Sequence, residues 1–210
     1  MMQDKGKELI TIAQQIRAMS QTALVYSTNE YEIERSHELI TLSDRIVSLV
    51  SGVQEADIKA SYHPVKEYVT PKVDIRAVIF NEKDEILLVK EKADGKWSLP
   101  GGWADVGFTP TEIVTKEAKE ETGFDVRVVR LLAVFDKRCF NHPASPFYVY
   151  KFCFQCEITG GDDELTFDIL DRGFFAIDKL PPLSTDRILP EQIVLLDRLR
   201  RNPESKIFCN

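Results

Sequence analysis

Residues 101–123, GGWADVGFTPTEIVTKEAKEETG, lead a glycine loop into a helix, and the placement of the charged residues there decides how the chain is read. Thr109 has the chemistry of an N-cap, Pro110 suits the first helical position, and Glu112 completes a T-x-x-E capping box. Gly123 supplies the left-handed residue that closes a helix. With residues 110–122 helical at roughly 100° per residue, Glu117, Glu120 and Glu121 fall at i, i+3 and i+4 on one face. Glu112, Thr115, Lys116 and Lys119 take the opposite, solvated face. Ile113 and Val114 therefore share the inward side with Glu117 and Glu121. Burying carboxylates together costs several kcal/mol per ion in order of magnitude unless positive charge answers them. A divalent cation that prefers oxygen ligands does so, with Mg²⁺ the usual choice. Upstream, WSLPGGW at 97–103 reads as a strand end breaking into a loop of glycine conformations. There the backbone can approach a ligand closely, and a carbonyl of Gly101 or Gly102 is a candidate for the metal shell. One glutamate pair alone would read as a solvated surface helix. Three carboxylates on the apolar side, behind a Gly-Gly turn, read as a site.

Working outward, residues 3–50 show two helical patterns. The first repeats Leu9, Ile12, Ala13, Ile16, Met19 and Ala23 at helical spacing. Ser27 with Glu30 has the form of a second capping box. The helix it opens carries Ile33, Leu39, Ile40, Leu42, Ile46, Val47, Leu49 and Val50, a stripe wider than one partner helix needs. The pair must dock on another surface, and a second copy of the chain is favoured over intramolecular packing. The polar stretch 52–70, punctuated by Pro64, reads as a linker. Residues 73–80 and 86–90 flank a turn at 81–84 and read as a hairpin. Segments 124–135, 147–158 and 173–177 supply further strands, and 190–200 a closing helix. The organisation expected is a helical module over 1–60, serving dimerisation, and a catalytic domain over 70–205.

The 27 basic and 34 acidic residues leave a net charge of −7, which disfavours nucleic acid as a partner. Cys153 and Cys156 sit three apart in an apolar strand-like run, pointing to opposite faces with no second Cys or His pair. They read as plain thiols rather than zinc ligands. No segment has about 18 uninterrupted apolar residues, so no membrane span is expected and the cytoplasm is the expected compartment.

The stretch resembles the Nudix hydrolase signature, G-x5-E-x7-R-E-U-x-E-E-x-G-U, with U apolar. Setting Gly102 as the first glycine puts Glu117, Ala118, Glu120, Glu121, Gly123 and Phe124 on signature positions. Two positions depart: Phe108 stands for the loop glutamate, and Lys116 for the arginine before the first helix glutamate. Lysine keeps the charge and loses the planar fork. The segments KVDIRAVIF, WSLPGGWADVG, KEETGFDV, LLAVFDK and LPPLS extend the resemblance to a subgroup with an N-terminal two-helix extension, similar to bacterial CDP-choline and ADP-ribose pyrophosphatases. The resemblance implies an α/β fold, an α/β/α sandwich with a mixed sheet preceded by a helical hairpin. It also implies that Glu117, Glu120 and Glu121 hold Mg²⁺ or Mn²⁺.

The implied reaction is hydrolysis of a nucleoside diphosphate linked to a group X, with CDP-choline ranked above ADP-ribose. A carboxylate must take the proton of the attacking water. Glu121 is one candidate, with Glu117 beside it. Asp168 is the other, six residues before the Phe174-Phe175 pair, where relatives often carry a loop acid; it reads equally as a solvated turn residue. Arg76, on the strand face of Asp74, is a candidate for a substrate phosphate or a partner for Asp74. Lys137 and Arg138 pose the same choice between phosphate and solvent. Trp97, Trp103, Phe140 and His142 are candidates for stacking on a base, or for packing. The alternative to an enzyme is a weakly active domain used as a nucleotide-binding sensor, which the departures at Phe108 and Lys116 keep open.

Overall fold

The structure is a computed structural model that describes residues 2–62, 68–105, 107–162 and 168–210. The chain divides into two compact units, Met1–Pro71 with Ala144–Tyr148, and Lys72–Pro143 with Val149–Asn210.

The first unit is built on α1 (Met2–Tyr26) and α2 (Glu30–Ser51), with a short α3 (Glu55–Ala60). Gly52 closes α2 in the left-handed conformation. The cap of α2 differs from expectation. Asn29, not Ser27, is the N-cap, because its Oδ1 accepts from both Tyr31 N–H and Glu32 N–H, while the Ser27 hydroxyl donates to the Glu32 carboxylate. The polar linker is also partly helical, since α3 buries Ile58 against Ile10, Ala13 and Val47. Residues 63–67 of that linker lie outside the described residues. Inside the hairpin, Gly6 lies against Val50 and Ser43 donates to the carbonyl of Ala13 at 2.8 Å, so the helices run antiparallel; Arg17 faces Asp44 at 3.2 Å. The Arg17 guanidinium lies 3.4 Å from the centre of the Tyr62 ring.

The second unit is the expected α/β sandwich. Its strands are β1 (Lys72–Ile79), β2 (Ile86–Glu91), β3 (Trp97–Ser98), β4 (Gly101–Trp103), β5 (Phe124–Asp136), β6 (Val149–Gly161), β7 (Ile169–Phe175) and β8 (Phe208–Cys209). Its helices are α4 (Pro110–Thr122) and α5 (Pro190–Arg200). A mixed sheet has the order β4-β1-β6-β5-β8, with β1 parallel to β6 and antiparallel to β4; a second sheet has the order β3-β2-β7. The expected β1–β2 hairpin does not form. A lone bridge, Phe80 to Ile86, joins the two runs as the chain passes from one sheet to the other.

Two cores result. Ile75, Ala77 and Ile79 of β1 pack with Ile113, Val114 and Ala118 of α4. Val78 packs with Leu132 and Phe135 of β5 and with Ile193 and Leu196 of α5. Cys153 belongs to the α5 core and Cys156 to the α4 core, as their three-residue spacing requires. Both are free, and burial pushes each thiol up to about 12. After α5 the chain returns to lay β8 beside β5, and Arg130 fixes that return. Its guanidinium donates to the carbonyls of Leu199, Asn202, Pro203 and Ser205 at 2.7–3.2 Å. Among the described residues no helix is long and apolar enough to cross a membrane.

Candidate active site

The helix α4 forms for local reasons, all legible in its residues. Thr109 accepts from Glu112 N–H, the Glu112 carboxylate accepts from Thr109 N–H, Pro110 opens the first turn, and Gly123 closes the last at φ 71°. With Ile113, Val114, Ala118 and Thr122 buried, the helix carries Glu121 inward to 8 % exposure. Its Oε2 accepts from Gly101 N–H at 2.8 Å. Burial raises the Glu121 carboxyl to about 8, against the opposing pull of Arg76 and the Gly101 N–H. Glu117 is half-buried and its pKa is likewise raised, chiefly by burial, with Lys116 opposing and Glu120 adding to the shift. Glu120 stands at the rim, 4.0 Å from Lys116, whose Nζ donates to Asp105 at 3.3 Å.

Gly101 and Gly102 lie in the strand β4, paired with Arg76 and Ile75, rather than in the expected loop, and each has a close neighbour that a side chain would meet. Gly101 has φ 138°, and a Cβ there would lie 2.0 Å from the carbonyl oxygen of Ile75. A Cβ on Gly102 would lie 3.1 Å from the Glu117 carboxylate. The strand β4 therefore presses its backbone onto β1 on one side and onto the glutamates of α4 on the other.

A cavity of about 240 Å³ opens at this edge, lined by Asp74, Arg76, Glu91, Gly101, Gly102, Trp103, Lys137, Val149, Lys151, Asp186 and Arg187. Its walls are mostly charged. Arg76 Nε donates to Asp74 at 2.9 Å and Nη1 to the carbonyl of Leu99 at 2.9 Å. Lys151 Nζ donates to the other oxygen of Asp74. Lys137 Nζ meets Asp186 at 2.6 Å, and Arg187 Nε meets Glu91 at 3.2 Å. Burial alone would raise the pKa of Asp74; Arg76 and Lys151 together hold it below the usual range.

The residues expected at the site thus divide. Glu117, Glu121, Gly101 and Gly102 come together, Glu120 joins them at the rim, and Arg76, Trp103 and Lys137 line the adjoining cavity. Arg76 both pairs with Asp74 and lines the cavity, so the two readings of it are not exclusive. Trp103 is half exposed, with Lys72 Nζ 5.4 Å from its ring. Asp168 is exposed at the start of β7, does not line the cavity, and accepts Lys92 N–H through its backbone carbonyl. Residues 163–167 before it, which include Asp163 and Glu164 of the acidic run, lie outside the described residues.

Three of the aromatics are packing groups. Trp97 stacks edge-on against Phe175 and Phe140 against Phe135. His142 is buried, its Nδ1 donating to the carbonyl of Thr185 at 2.7 Å, and burial drops its pKa to about 4, so the ring is neutral.

Sequence reasoning missed Lys151, Glu91, Asp186 and Arg187. One left a signal: Lys151 occupies an inward position of β6, in step with buried Val149 and Cys153.

Among the described residues no three His, Cys, Asp or Glu side chains stand together as a finished metal cage. The donor set is nonetheless all oxygen, and two of its carboxylates have their proton affinity raised by burial. That is the chemistry of a site that takes a hard divalent cation.

An α/β sandwich that sets a helix of inward glutamates behind a Gly-Gly strand defines a class of hydrolases acting on phosphoric anhydrides. The chain belongs to the Nudix family: residues 70–196 match the NUDIX domain, and residues 7–62 match the UDP-X-like, N-terminal oligomerisation domain. It is a Nudix pyrophosphatase. A Bacillus subtilis (strain 168) protein, YjhB, provisionally named an ADP-ribose pyrophosphatase, is 41 % identical over 194 residues, covering 92 % of this chain and 93 % of the relative. A crystal structure of an ADP-ribose pyrophosphatase from Streptococcus suis 89-1591 is 41 % identical, with TM-score 0.61, and covers 67 % of this chain and 100 % of that one. A crystal structure of a UDP-X diphosphatase is 34 % identical, with TM-score 0.64, over 98 % of this chain and 99 % of its own.

Proposed function

We propose that the chain hydrolyses a nucleoside diphosphate linked to a group X, giving a nucleoside monophosphate and phospho-X. The seating of Glu117 and Glu121 behind Gly101 and Gly102, which themselves line a charged cavity, carries this reading. Glu117, Glu120 and Glu121, with the carbonyls of Gly101 and Gly102, are the groups that would hold Mg²⁺ or Mn²⁺, which when bound offsets diphosphate charge and makes water more acidic. The remaining roles belong to the chain. Arg76 and Lys137 take phosphoryl oxygens as charge-assisted donors. Trp103, half exposed at the cavity, offers a face to the base or to X. As water attacks phosphorus and the bridging P–O bond breaks, its proton passes to a carboxylate oxygen. Glu121 is the first candidate, since Gly101 N–H holds Oε2 and leaves Oε1 to accept; Asp168 is the second.

The cavity bears on X. A quaternary ammonium such as choline is best received by a cage of aromatic faces. This cavity offers one aromatic, Trp103, among four cations and three carboxylates. Such walls suit a polyhydroxylated or phosphorylated X. The relatives named above for ADP-ribose and UDP-X support the same choice, so a nucleotide sugar such as ADP-ribose ranks first and CDP-choline second. A product assay over ADP-ribose, a UDP-sugar, CDP-choline, NADH and nucleoside triphosphates, with and without Mg²⁺, tests this. Faster cleavage of triphosphates than of every diphosphate ester would overturn the substrate class. Binding without hydrolysis in Mg²⁺ and Mn²⁺ would establish the sensor reading instead.

We further propose that the helical unit pairs two copies of the chain. Within the hairpin the inward positions include Ile10, Ala13, Arg17 and Ser20 on α1, and Ser36, Ser43 and Val47 on α2. One residue before several of these stand exposed Leu9, Ile12 and Met19, and Leu42; Leu39 and Leu49 continue the α2 stripe. Both stripes follow three–four spacing once Ile16 and Ile46 are included. A step of one residue turns about 100° on each helix, and because the helices are antiparallel both stripes arrive on the same side of the hairpin. The result is a continuous apolar seam of the kind that closes a four-helix bundle with a symmetric copy. Light scattering on Leu42→Glu at micromolar concentration should give half the wild-type mass; a monomeric wild type would refute the pairing.

A further inference from the structure

One buried carboxylate at the cavity holds two cations, and neither the family match nor the proposed reaction assigns it a role. Asp74 and Lys151 are register partners on the parallel strands β1 and β6, and Arg76 stands two residues from Asp74 on the same face of β1. All three are at most 7 % exposed. The Asp74 oxygens are divided, Oδ1 accepting from Arg76 Nε at 2.9 Å and Oδ2 from Lys151 Nζ. The guanidinium is fixed from its far side as well. Its Nη1 donates to the carbonyl of Leu99 at 2.9 Å and to Ser98 Oγ at 3.4 Å, while Ser98 Oγ donates to Glu91 at 3.0 Å. Glu91 stands 3.9 Å from Arg76 and is already shared with Arg187 at 3.2 Å.

This linked set places Arg76, Lys151 and Arg187 against Asp74 and Glu91. Lys137 and Asp186 cancel one another, and Asp94 stands 3.5 Å from Arg187, so the charges balance and what the cavity has in surplus is donors. Donor capacity is in excess because Arg76 Nη2 and two N–H groups of Lys151 have no partner among the described residues. Both side chains line the cavity beside Gly101. An anion with several oxygens supplies the acceptors.

We propose that Asp74 is a positioning residue that locks Arg76 and Lys151 side by side as a two-pronged grip for the phosphoryl oxygens of the substrate. The proposal rests on the pyrophosphatase reading for its substrate, but the grip itself is a binding property. Without the Asp74 charge the two cations repel one another and lose their common anchor. Asn in its place keeps the volume and one acceptor.

The test measures binding of inorganic pyrophosphate by calorimetry on the full chain in EDTA, so that the glutamates contribute no metal contact. Asp74→Asn should weaken binding about tenfold or more, the scale of a lost charge-assisted contact. It should raise KM for ADP-ribose in Mg²⁺ similarly, with kcat within about threefold. Because Asp74→Asn leaves two buried cations and one neutral amide, it also lowers the melting temperature. The double variant Asp74→Asn with Lys151→Met removes one charge of each sign, so it should regain thermal stability without regaining affinity. Affinity that returns with stability would make Asp74 merely structural. Wild-type binding by Asp74→Asn, or no pyrophosphate binding by the wild type, would equally overturn the grip. Pyrophosphate binding lost as predicted in a protein that hydrolyses nothing would instead sink the pyrophosphatase reading and leave the grip standing.

Discussion

Replacing Glu121 by Gln should silence the enzyme and, in metal-free buffer, stabilise it. The two effects have one cause. The Glu121 carboxyl is 8 % exposed and its pKa is raised from 4.5 to about 8, mainly by burial. An acid whose folded pKa lies above its unfolded value binds more protons folded than unfolded between the two. Stability therefore falls as pH rises from about 4.5 to about 8. At 1.36 kcal/mol per pKa unit, the charged form costs the fold on the order of 4–5 kcal/mol above pH 8. Gln keeps the volume and can still accept from Gly101 N–H, so it escapes that cost. Thermal melting in EDTA should show the wild type losing stability against Glu121→Gln from pH 5 to pH 8, with the two converging near pH 4. Turnover in Mg²⁺ should fall by roughly two to four orders of magnitude, the scale for removing an electrostatic or acid–base group. Near-native turnover would refute the site. Parallel melting curves across the pH range would refute the burial argument even if activity were lost.

Glu117→Gln should lose activity comparably, and Glu120→Gln less, because Glu120 is exposed at the rim; initial rates against Mg²⁺ concentration measure both. Gly102→Ala should fold but fail in catalysis, since its Cβ meets only the movable end of Glu117 at 3.1 Å, and circular dichroism with an activity assay would show the pairing. Gly101→Ala should not accumulate as folded protein, because its Cβ would meet the Ile75 carbonyl at 2.0 Å in a backbone conformation that alanine resists. Arg130→Met should cost about 2–3 kcal/mol in urea unfolding, given the hydrogen bonds a charged donor makes to four carbonyls there, while leaving KM unchanged.

What the sequence disclosed was whatever is decided locally. The helix α4 could be placed to the residue because its capping box, its proline and its closing glycine all act within the segment. The inward turn of Glu121 followed from its spacing to Ile113 and Val114. Choices made by distant partners were hidden. Ser27 and Asn29 are both good caps, and what selects Asn29 is that its Oδ1 reaches two N–H groups at once. The runs flanking residues 81–84 carry every mark of a hairpin, yet β1 pairs with β4 and β6 while β2 pairs with β3 and β7. Hydrophobic alternation fixes which face of a strand is buried and says nothing about its neighbours. The cavity was legible only in part for the same reason. Arg76 and Lys137 stood out as isolated cations, whereas Glu91, Asp186 and Arg187 acquire meaning only when β2 and the turn before α5 meet β1.

Period two in β1 is what joins these parts. Ile75, Ala77 and Ile79 face the core under α4, while Asp74 and Arg76 turn to the other side and into the cavity. Left to itself, such a strand would separate the α4 glutamates from the cations by its own thickness. Its neighbour β4 prevents that, with Gly101 opposite Arg76 and Gly102 opposite Ile75. The Gly101 N–H reaches Glu121, and the bare Cα of Gly102 leaves room for the Glu117 carboxylate. Negative groups then stand on one side of the sheet edge and positive groups on the other, with only two glycines between them, which is the arrangement the proposed hydrolysis of a diphosphate needs. A side chain at either position would part the two sets of charges, which places the chemistry of the cleft on the two residues that have none.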